Sequence, residues 1–247
     1  MPRTISLRLA AACALALILV LSTAALAVAK GPLANLRVVA GQKVLADKTF
    51  GASTTSVPTS KAATCFGKES AGSGKAVQVK GPTPLGMLAT AARTTKALRP
   101  LLITDAFSFG LGLCAIGGIE PKGEGFWQLR VNHKASAVGG DAVKLKSGDE
   151  ALWYLTTGFP AAEELSLTAP KKAMVGEEFE VRVHAYDEKG KRKPAAGVKV
   201  SGADGPTNAK GVAEVTLNGP ASLIARHGKY IPSNRAAVCV GGKCPRG

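Results

Sequence analysis

The 247-residue sequence has few of the residues that catalysis and metal binding usually require. Its three histidines, His133, His184 and His227, have no cysteine, serine or carboxylate at a spacing typical of a catalytic triad or a zinc site. The G-x-S-x-G nucleophile motif of hydrolases is absent. We therefore predict that the protein is not an enzyme and uses neither a cofactor nor a metal. The alternative, a hydrolase, would need a cleft in which polar side chains converge.

Nucleotide-binding motifs are incomplete. Gly74-Lys75 is similar to the end of a phosphate-binding loop, but Glu69 stands where that motif needs its first glycine and Ala76 where it needs serine or threonine. Residues 110–115 match G-x-G-x-x-A, yet they lie in a strand-like stretch without the β-α-β pattern of a dinucleotide site. Neither motif predicts a nucleotide ligand.

Acidic residues are scarce, because the chain has 17 Asp and Glu against 32 Lys and Arg, a formal net charge of +15. A positive surface favours acidic partners. The basic residues are spread over both halves of the chain and are not gathered in a stripe with aromatic residues between them, so we predict no nucleic-acid binding. Two interpretations are left: a solvated surface, or contact with an anionic cell-wall polymer. The densest basic stretch, residues 189–193, is predicted to be a solvated hairpin tip.

An apolar run of membrane-spanning length occurs once, over residues 9–28. Ala27-Val28-Ala29 fits the small-x-small rule of signal peptidase, so we predict a cleaved signal peptide over residues 1–29. An uncleaved membrane anchor is the alternative, because about 20 apolar residues can cross a bilayer. After cleavage no stable membrane span is expected, and the protein is predicted to be secreted or extracellular, either free or associated with the cell envelope. Loss of the two leader arginines leaves 30 basic and 17 acidic residues, a net charge of +13.

The composition changes near residue 158, which predicts two domains. Residues 33–157 contain both tryptophans and one clear helix, which begins at Thr83-Pro84 with an N-cap followed by proline. Residues 163–240 contain short alternating strands between Pro/Gly turns, a pattern typical of an all-β, immunoglobulin-like sandwich. A short tail, residues 241–247, follows.

Four cysteines lie beyond the predicted leader: Cys65, Cys114, Cys239 and Cys244. In an exported protein they predict disulfides, and four cysteines allow three pairings. One pair lies within each predicted domain, so Cys65–Cys114 with Cys239–Cys244 is the economical choice. The first bond would close a loop of about 50 residues, worth roughly 4 kcal/mol in the chain-entropy model.

The stretch from residue 126 to residue 155 has the alternation of a sheet. Side chains alternate between two faces in three predicted strands, 126–131, 143–146 and 150–155. Turn-forming residues at 147–149 join the last two, so we predict an antiparallel meander. Upstream, residues 103–118 are predicted to form a strand whose glycines allow another backbone to approach closely.

At these residues the sequence resembles a known family. Phe-Trp-x-x-x-Val-Asn at 126–132, Gly-Gly at 139–140 and Gly-Asp-Glu-x-x-Trp-Tyr at 148–154 are similar to motifs of the transcobalamin-like C-terminal domain of bacterial secreted proteins. Thr-Cys-Phe-Gly at 64–67 extends the resemblance, which covers about residues 33–157. It implies an α+β, β-grasp-like fold with one helix across a mostly antiparallel sheet. It also implies the Cys65–Cys114 disulfide.

The resemblance implies a ligand site as well. In transcobalamin and intrinsic factor, a domain of this type covers one face of cobalamin with a Tyr/Phe-Trp-Gln strand, which Phe126-Trp127-Gln128-Leu129 resembles. These four residues are the predicted site for a corrinoid or another flat small molecule. The alternative is that Trp127 and Trp153 are core residues of the sheet. His133 stands where the motif commonly has the glycine of an Asn-Gly turn, so it must adopt a positive φ.

The two functional hypotheses belong to different classes. The first is an exported, non-enzymatic binding protein whose ligand is a corrinoid-like molecule. The second is a structural or adhesive cell-surface protein associated with anionic envelope polymers. The sequences at 175–181, 193–200 and 207–213 resemble bacterial Ig-like and carboxypeptidase-regulatory-like modules. Domains of those families mostly space, display or adhere.

Overall fold

The computed structural model describes residues 31–245, so the predicted signal peptide lies outside the described residues. None of the helices in that range is long and apolar enough to cross a membrane. Hydrophobic side chains collect in two main clusters, one between residues 34 and 155 and one between residues 165 and 240. We call residues 31–156 the first unit and residues 164–245 the second unit.

Nine strands and one α-helix make up the first unit. The helix α1 is Pro84–Thr94, and short 3-10 turns lie at Lys68–Ser70 and Lys96–Leu98. The strands are β1 (Leu33–Ala40), β2 (Lys43–Gly51), β3 (Thr55–Pro58), β4 (Ala76–Val79), β5 (Leu101–Phe107), β6 (Gly110–Ile116), β7 (Phe126–Val131), β8 (Lys134–Ala135) and β9 (Glu150–Thr156).

The largest sheet has five strands in the order β2-β1-β9-β7-β8. Strand β1 pairs antiparallel with β2 and parallel with β9, and β9 pairs antiparallel with β7. On the other side of β7, the short β8 pairs only with Arg130 and Val131. The first four residues of β7 therefore form an edge of the sheet that no other described strand covers.

Helix α1 supplies the buried layer that closes this core. Thr83 Oγ1 accepts a hydrogen bond from the Gly86 backbone N–H at 3.1 Å, and Pro84 occupies the first turn, as the sequence predicts. Leu85 and Leu88 face inward and share a hydrophobic cluster with the sheet residues and with both tryptophans. The predicted N-terminus and apolar stripe of the helix are thus confirmed.

The expected α+β, β-grasp-like class is wrong. Strands dominate the described residues, and the 11-residue α1 is the one α-helix among them. Strands β3 and β4 form a separate two-stranded sheet, as do β5 and β6, so the helix does not cross one continuous sheet. Short apolar runs broken by glycine and proline favour small separate sheets, because both residues interrupt a strand.

Two predicted strands also differ. Residues 103–118 contain the hairpin of β5 and β6, because the chain turns at Ser108-Phe109 and Gly110 adopts a φ of +147°. Residues 143–146 are not a strand. The Leu145 N–H donates to the Pro82 carbonyl at 2.8 Å, so this segment packs beside the start of α1 and the meander lacks its middle strand.

The second unit consists of strands, and an all-β sandwich fits it. The strands are β10 (Glu164–Thr168), β11 (Lys172–Ala173), β12 (Glu178–Tyr186), β13 (Arg192–Pro194), β14 (Lys199–Val200), β15 (Val212–Thr216), β16 (Ala221–Leu223), β17 (Ala225–Arg226) and β18 (Ala236–Val240). In β12 the side chains of Val181, Val183 and Ala185 are buried, while the residues between them are more exposed. Strand β12 pairs with β10, β13 and β15; β18 pairs with β11 and β16; and β14 pairs with β17.

Two disulfides are present among the described residues. Cys65–Cys114 joins residues 49 apart and links the loop before the first 3-10 turn to β6. Cys239–Cys244 joins residues five apart and ties the tail to β18. Disulfides of this kind are typical of proteins that fold in an oxidising, extracytoplasmic compartment.

Candidate functional site

A groove of about 690 Å³ opens beside the uncovered edge of β7. Its wall comes from β5, β6, β7, the loop after β8 and the segment that leads to the second unit. We call it the aromatic groove, because five of the seven phenylalanines line it: Phe66, Phe107, Phe109, Phe126 and Phe159. A concave, mostly apolar surface of this size is typical of a small-molecule site.

Several of these phenyl rings are exposed although they contact one another. Phe109 is 86% exposed, Phe159 71% and Phe66 48%. Phe107 stacks on Phe109 with ring centroids 5.1 Å apart and meets Phe66 edge-on at 5.3 Å. Phe126 lies 5.2 Å from Phe159. Contiguous exposed aromatic surface commonly marks an interaction site, since water contact forfeits the stabilisation that burial would give.

The first disulfide and a glycine set the position of Phe66. Cys65, next to it in sequence, is bonded to Cys114 of β6, which holds the ring against that strand. A Cβ on Gly112 would lie 2.9 Å from the Phe66 ring and 3.1 Å from the Phe107 ring. Both rings therefore lie directly on the backbone of β6. This is the close approach that the strand glycines predict.

The four predicted site residues, Phe126, Trp127, Gln128 and Leu129, all line the aromatic groove, but they do so unequally. Trp127 and Leu129 are buried in the core, and the Trp127 indole N–H donates to the Ile119 carbonyl at 3.1 Å. Phe126 and Gln128 are half-buried on the opposite face of the strand. Both tryptophans pack in the hydrophobic core, so the exposed aromatic surface comes from phenylalanines.

The main chain of β7 adds polar groups to the groove. The Asn132 N–H donates to the Glu150 carbonyl of β9, so the alternate residues Gln128 and Phe126 also direct their peptide groups toward β9. The peptide groups of Trp127 and Leu129 point away from β9, toward the uncovered edge of β7. There the Ser136 backbone N–H donates to the Leu129 carbonyl at 2.9 Å. Within residues 31–245, the Trp127 N–H and C=O take part in none of the backbone hydrogen bonds.

Sequence reasoning missed three exposed rings, Phe66, Phe109 and Phe159, and the half-buried Phe107. Residues 103–118 were expected to form a single strand, whereas Phe109 lies in the turn between β5 and β6. Phe66-Gly67 and Phe109-Gly110 place a phenylalanine directly before a positive-φ glycine. An aromatic residue at a turn rarely belongs to a core, and that signal could have identified these rings.

A buried cluster of charges, the junction cluster, lies at the other end of β7. At its centre Arg37 of β1 is fully buried. Its Nε donates to Glu150 Oε1 at 2.8 Å, and its Nη1 donates to the carbonyls of Leu165 and Pro232 at 3.2 and 2.7 Å. Its Nη2 donates to Glu164. One arginine of the first unit thus binds three groups of the second.

Arg130 of β7 makes a second connection. It is also fully buried, and it donates to the carbonyls of Tyr186 at 3.3 Å and Ala162 at 2.9 Å. Its Nη1 lies 3.7 Å from Glu164 Oε2, and its guanidinium lies over the Tyr154 ring at 5.0 Å. Glu164 therefore lies between two arginines from two strands of the first unit.

His133 completes the junction cluster. Asn132 and His133 both adopt positive φ, 50° and 69°, as a two-residue turn between β7 and β8 requires. The His133 ring stacks on Tyr186 with centroids 3.9 Å apart, and its Nδ1 is 2.8 Å from Glu164. These contacts with the second unit compensate for the backbone conformation that histidine tolerates less well than glycine.

The cluster favours the charged forms of Arg37 and Glu164. Burial lowers the pKa of Arg37, but the nearby carboxylates of Glu150 and Glu164 outweigh it, so the pKa is raised above its usual value. Burial raises the pKa of Glu164, but Arg37 and the hydrogen bond from His133 outweigh it, so the pKa is lowered. A buried carboxylate beside two arginines thus stays ionised.

His133, Glu150 and Glu164 also lie close enough together to share a metal ion. The guanidinium of Arg37 already contacts both carboxylates. Because a fixed cation supplies the positive charge there, we assign no metal to these residues.

A comparison with protein families identifies one match. Residues 113–157 match the model of a family described as a domain of unknown function (DUF4430). The matched stretch runs from β6 to the end of β9 and so includes all four predicted site residues. Neither the curated proteins nor the solved structures include a significant match.

Proposed function

We propose that this chain is an exported, non-enzymatic binding protein that holds a corrinoid or another flat small molecule in the aromatic groove. The observation that carries the proposal is the cluster of exposed phenyl rings, Phe66, Phe109 and Phe159, around a concave surface. The resemblance of residues 33–157 to transcobalamin-like domains supports the ligand class. The family match over residues 113–157 is compatible with it.

The groove suits a ligand with one apolar face and polar edges. The phenyl rings offer surfaces on which a flat macrocycle can stack. At one side, the peptide group of Trp127 offers polar contacts, which fix orientation in sites of this kind. The Gln128 Oε1 is engaged elsewhere, since it accepts a hydrogen bond from the Tyr154 hydroxyl. In this proposal the stacking surface is formed by Phe109 and Phe159, and Trp127 supplies the rigid strand behind it.

The polar side chains of the groove favour binding over catalysis. Asp141, the one ionisable side chain that lines it, accepts a hydrogen bond from the Leu111 N–H at 3.2 Å. Ser136 donates to the Val138 carbonyl at 2.8 Å. Both side chains are engaged with the backbone, which supports a binding role over a hydrolytic one in this proposal.

Tryptophan fluorescence of residues 30–247 tests the proposal, because Trp127 lies in the groove wall. We expect saturable quenching by cobinamide, corrected for absorbance, that Phe109→Ala/Phe159→Ala weakens strongly. Met174→Ala is the control, since Met174 is 65% exposed and does not line the groove. Absence of saturation up to about 1 mM, a binding free energy weaker than roughly −4 kcal/mol, would contradict the proposal.

A structural or adhesive role at the cell envelope is the second candidate. Its support is the exposed basic stretch Lys189–Lys193 at the β12–β13 turn, together with the positive net charge. The turn is not free on all sides, because the Ala135 N–H donates to the Glu188 carbonyl at 2.9 Å. Binding to purified teichoic acid should then weaken steeply with added salt and should depend on Lys189 and Lys191. Salt-insensitive or absent binding would exclude this role.

A further inference from the structure

A second groove, of about 570 Å³, lies where β3, α1, the turn after α1 and β5 meet. It shares no lining residue with the aromatic groove. We call it the cationic groove; its lining residues are Pro58, Ala89, Ala92, Arg93, Lys96, Arg99, Pro100 and Leu101.

The floor of the cationic groove is apolar and is formed by small side chains. Ala89 and Ala92 lie three residues apart on one face of α1, and they are 4% and 5% exposed. Because their side chains are single methyl groups, the helix leaves space between itself and Leu101 of β5. An extended aliphatic chain could fill this space. Binding would then remove apolar atoms of both the chain and the groove from water, which is favourable.

The rim carries three like charges. Arg93, Lys96 and Arg99 all line the groove with exposed side chains, and no acidic residue does. Within residues 31–245, none of the three forms an ion pair. Arg93 is held in place, because its Nη2 donates to Thr55 Oγ1 at 3.3 Å and to the Ser56 carbonyl at 3.0 Å.

We propose that the cationic groove binds an amphiphilic anion, a molecule with a single apolar chain and an anionic head group. The chain lies on the alanine floor, and the head group lies among Arg93, Lys96 and Arg99. Charge complementarity carries the choice of ligand: every charged side chain that lines the groove is a cation without an ion-pair partner among the described residues, and an anionic head group supplies the opposite charge. Arginine suits this role because its planar guanidinium donates two parallel hydrogen bonds to a phosphate or carboxylate. The inference is independent of the proposal for the aromatic groove.

Calorimetric titration with dodecyl phosphate, kept below its micelle concentration, tests the inference on residues 30–247. We expect saturable binding that Lys96→Gln/Arg99→Gln weakens by about tenfold or more, because hydrogen bonds to charged groups are lost. The matched control is Lys189→Gln/Lys191→Gln, which removes the same charge at an exposed turn and should leave the affinity within about twofold. The rim double variant keeps Arg93, whose hydrogen bonds hold β3 to α1.

Separate probes for the two halves of the ligand sharpen the test. Inorganic phosphate and dodecanol should each bind far more weakly than dodecyl phosphate. Ala92→Leu, which fills the floor, should weaken dodecyl phosphate and leave inorganic phosphate unchanged. Equal binding of inorganic phosphate, equal loss in both charge variants, binding only to anionic vesicles, or no saturable binding at all would each overturn the inference.

Discussion

The two ends of strand β7 lie in opposite environments. Phe126 and its neighbours border an open groove lined by exposed phenyl rings. Four residues later Arg130 is fully buried among carbonyls, a carboxylate and a tyrosine ring. At the first end apolar groups face water, and at the second end charged groups are removed from it.

This contrast separates binding from stability. Exposed rings contribute little to folding, and the proposed function assigns them to a ligand. Buried charges destabilise a protein unless they are paired, and the junction cluster pairs nearly all of its groups. We infer that one strand serves two separable purposes, and the following changes test whether they are separable.

Loss of Glu164 should have the largest effect on stability. Glu164→Gln leaves Arg37 and Arg130 buried with a weaker partner, and removal of one member of a buried ion pair typically costs about 3–5 kcal/mol. Urea unfolding measures the change. The control is Glu163→Gln at the adjacent position, whose partner Lys193 is exposed, and it should leave the midpoint unchanged. An equal loss in both variants would show that the junction cluster has no special role.

Removal of the Cys65–Cys114 disulfide should destabilise the protein and disturb the aromatic groove. Cys65→Ser/Cys114→Ser opens a loop of 49 residues, which in the chain-entropy model costs about 4 kcal/mol. Phe66 should also lose its fixed position, so ligand affinity should fall. Cys239→Ser/Cys244→Ser opens a much shorter loop and should cost about half as much without an effect on affinity. If both pairs of substitutions alter affinity alike, the disulfide does not position the groove.

An alanine at residue 112 should disturb the rings with a smaller loss. Its Cβ would lie within 3.1 Å of Thr104, Phe66 and Phe107, and overpacking of this kind costs about 1–3 kcal/mol. We expect weaker ligand binding and a lower urea midpoint. Gly219→Ala serves as the control, because nothing lies within 4 Å of its Cβ position. A Gly112→Ala protein with unchanged affinity would remove the two rings from the proposed site.

Acid should lower the stability that the junction cluster contributes through Glu164. The pKa of Glu164 is lowered from the usual 4.5, because Arg37 and His133 outweigh the opposing effect of burial. Its contribution to stability is therefore complete above pH 4.5 and is lost as the pH falls through the lower, folded-state pKa. Between about pH 5 and pH 3, the urea midpoint of the wild type should fall more steeply than that of Glu164→Gln. Parallel curves would assign the acid sensitivity to other carboxylates, such as Asp105, whose pKa is lowered by hydrogen bonds from Ser73.

Local patterns in the sequence predicted β7 and α1. Period-two alternation identifies a strand because neighbouring side chains point to opposite faces, and capping residues identify the start of a helix. The same alternation could not predict that residues 143–146 bond to the loop before α1, because that contact depends on tertiary packing. It also failed to predict the turn at Ser108 and Phe109, directly before Gly110, which divides residues 103–118 between two strands.

Local sequence patterns could not predict the junction cluster. Arg37 and Glu164 are 127 residues apart, and only the folded chain brings them together. A weak signal exists in β1, where Arg37 interrupts the apolar run Leu36-Arg37-Val38-Val39. Because this cluster joins the two units tightly, the division into domains at residues 157–163 stays a proposal.

Measurement of both properties on the same two variants tests the central claim most directly. Phe109→Ala should lose cobinamide affinity and keep the wild-type urea midpoint, because Phe109 is 86% exposed. Glu164→Gln, studied at a temperature where it stays folded, should lose stability and keep the affinity. This crossed result would establish that the two ends of β7 act separately. If affinity and stability fall together in both variants, the groove and the junction cluster form a single unit and the account is wrong.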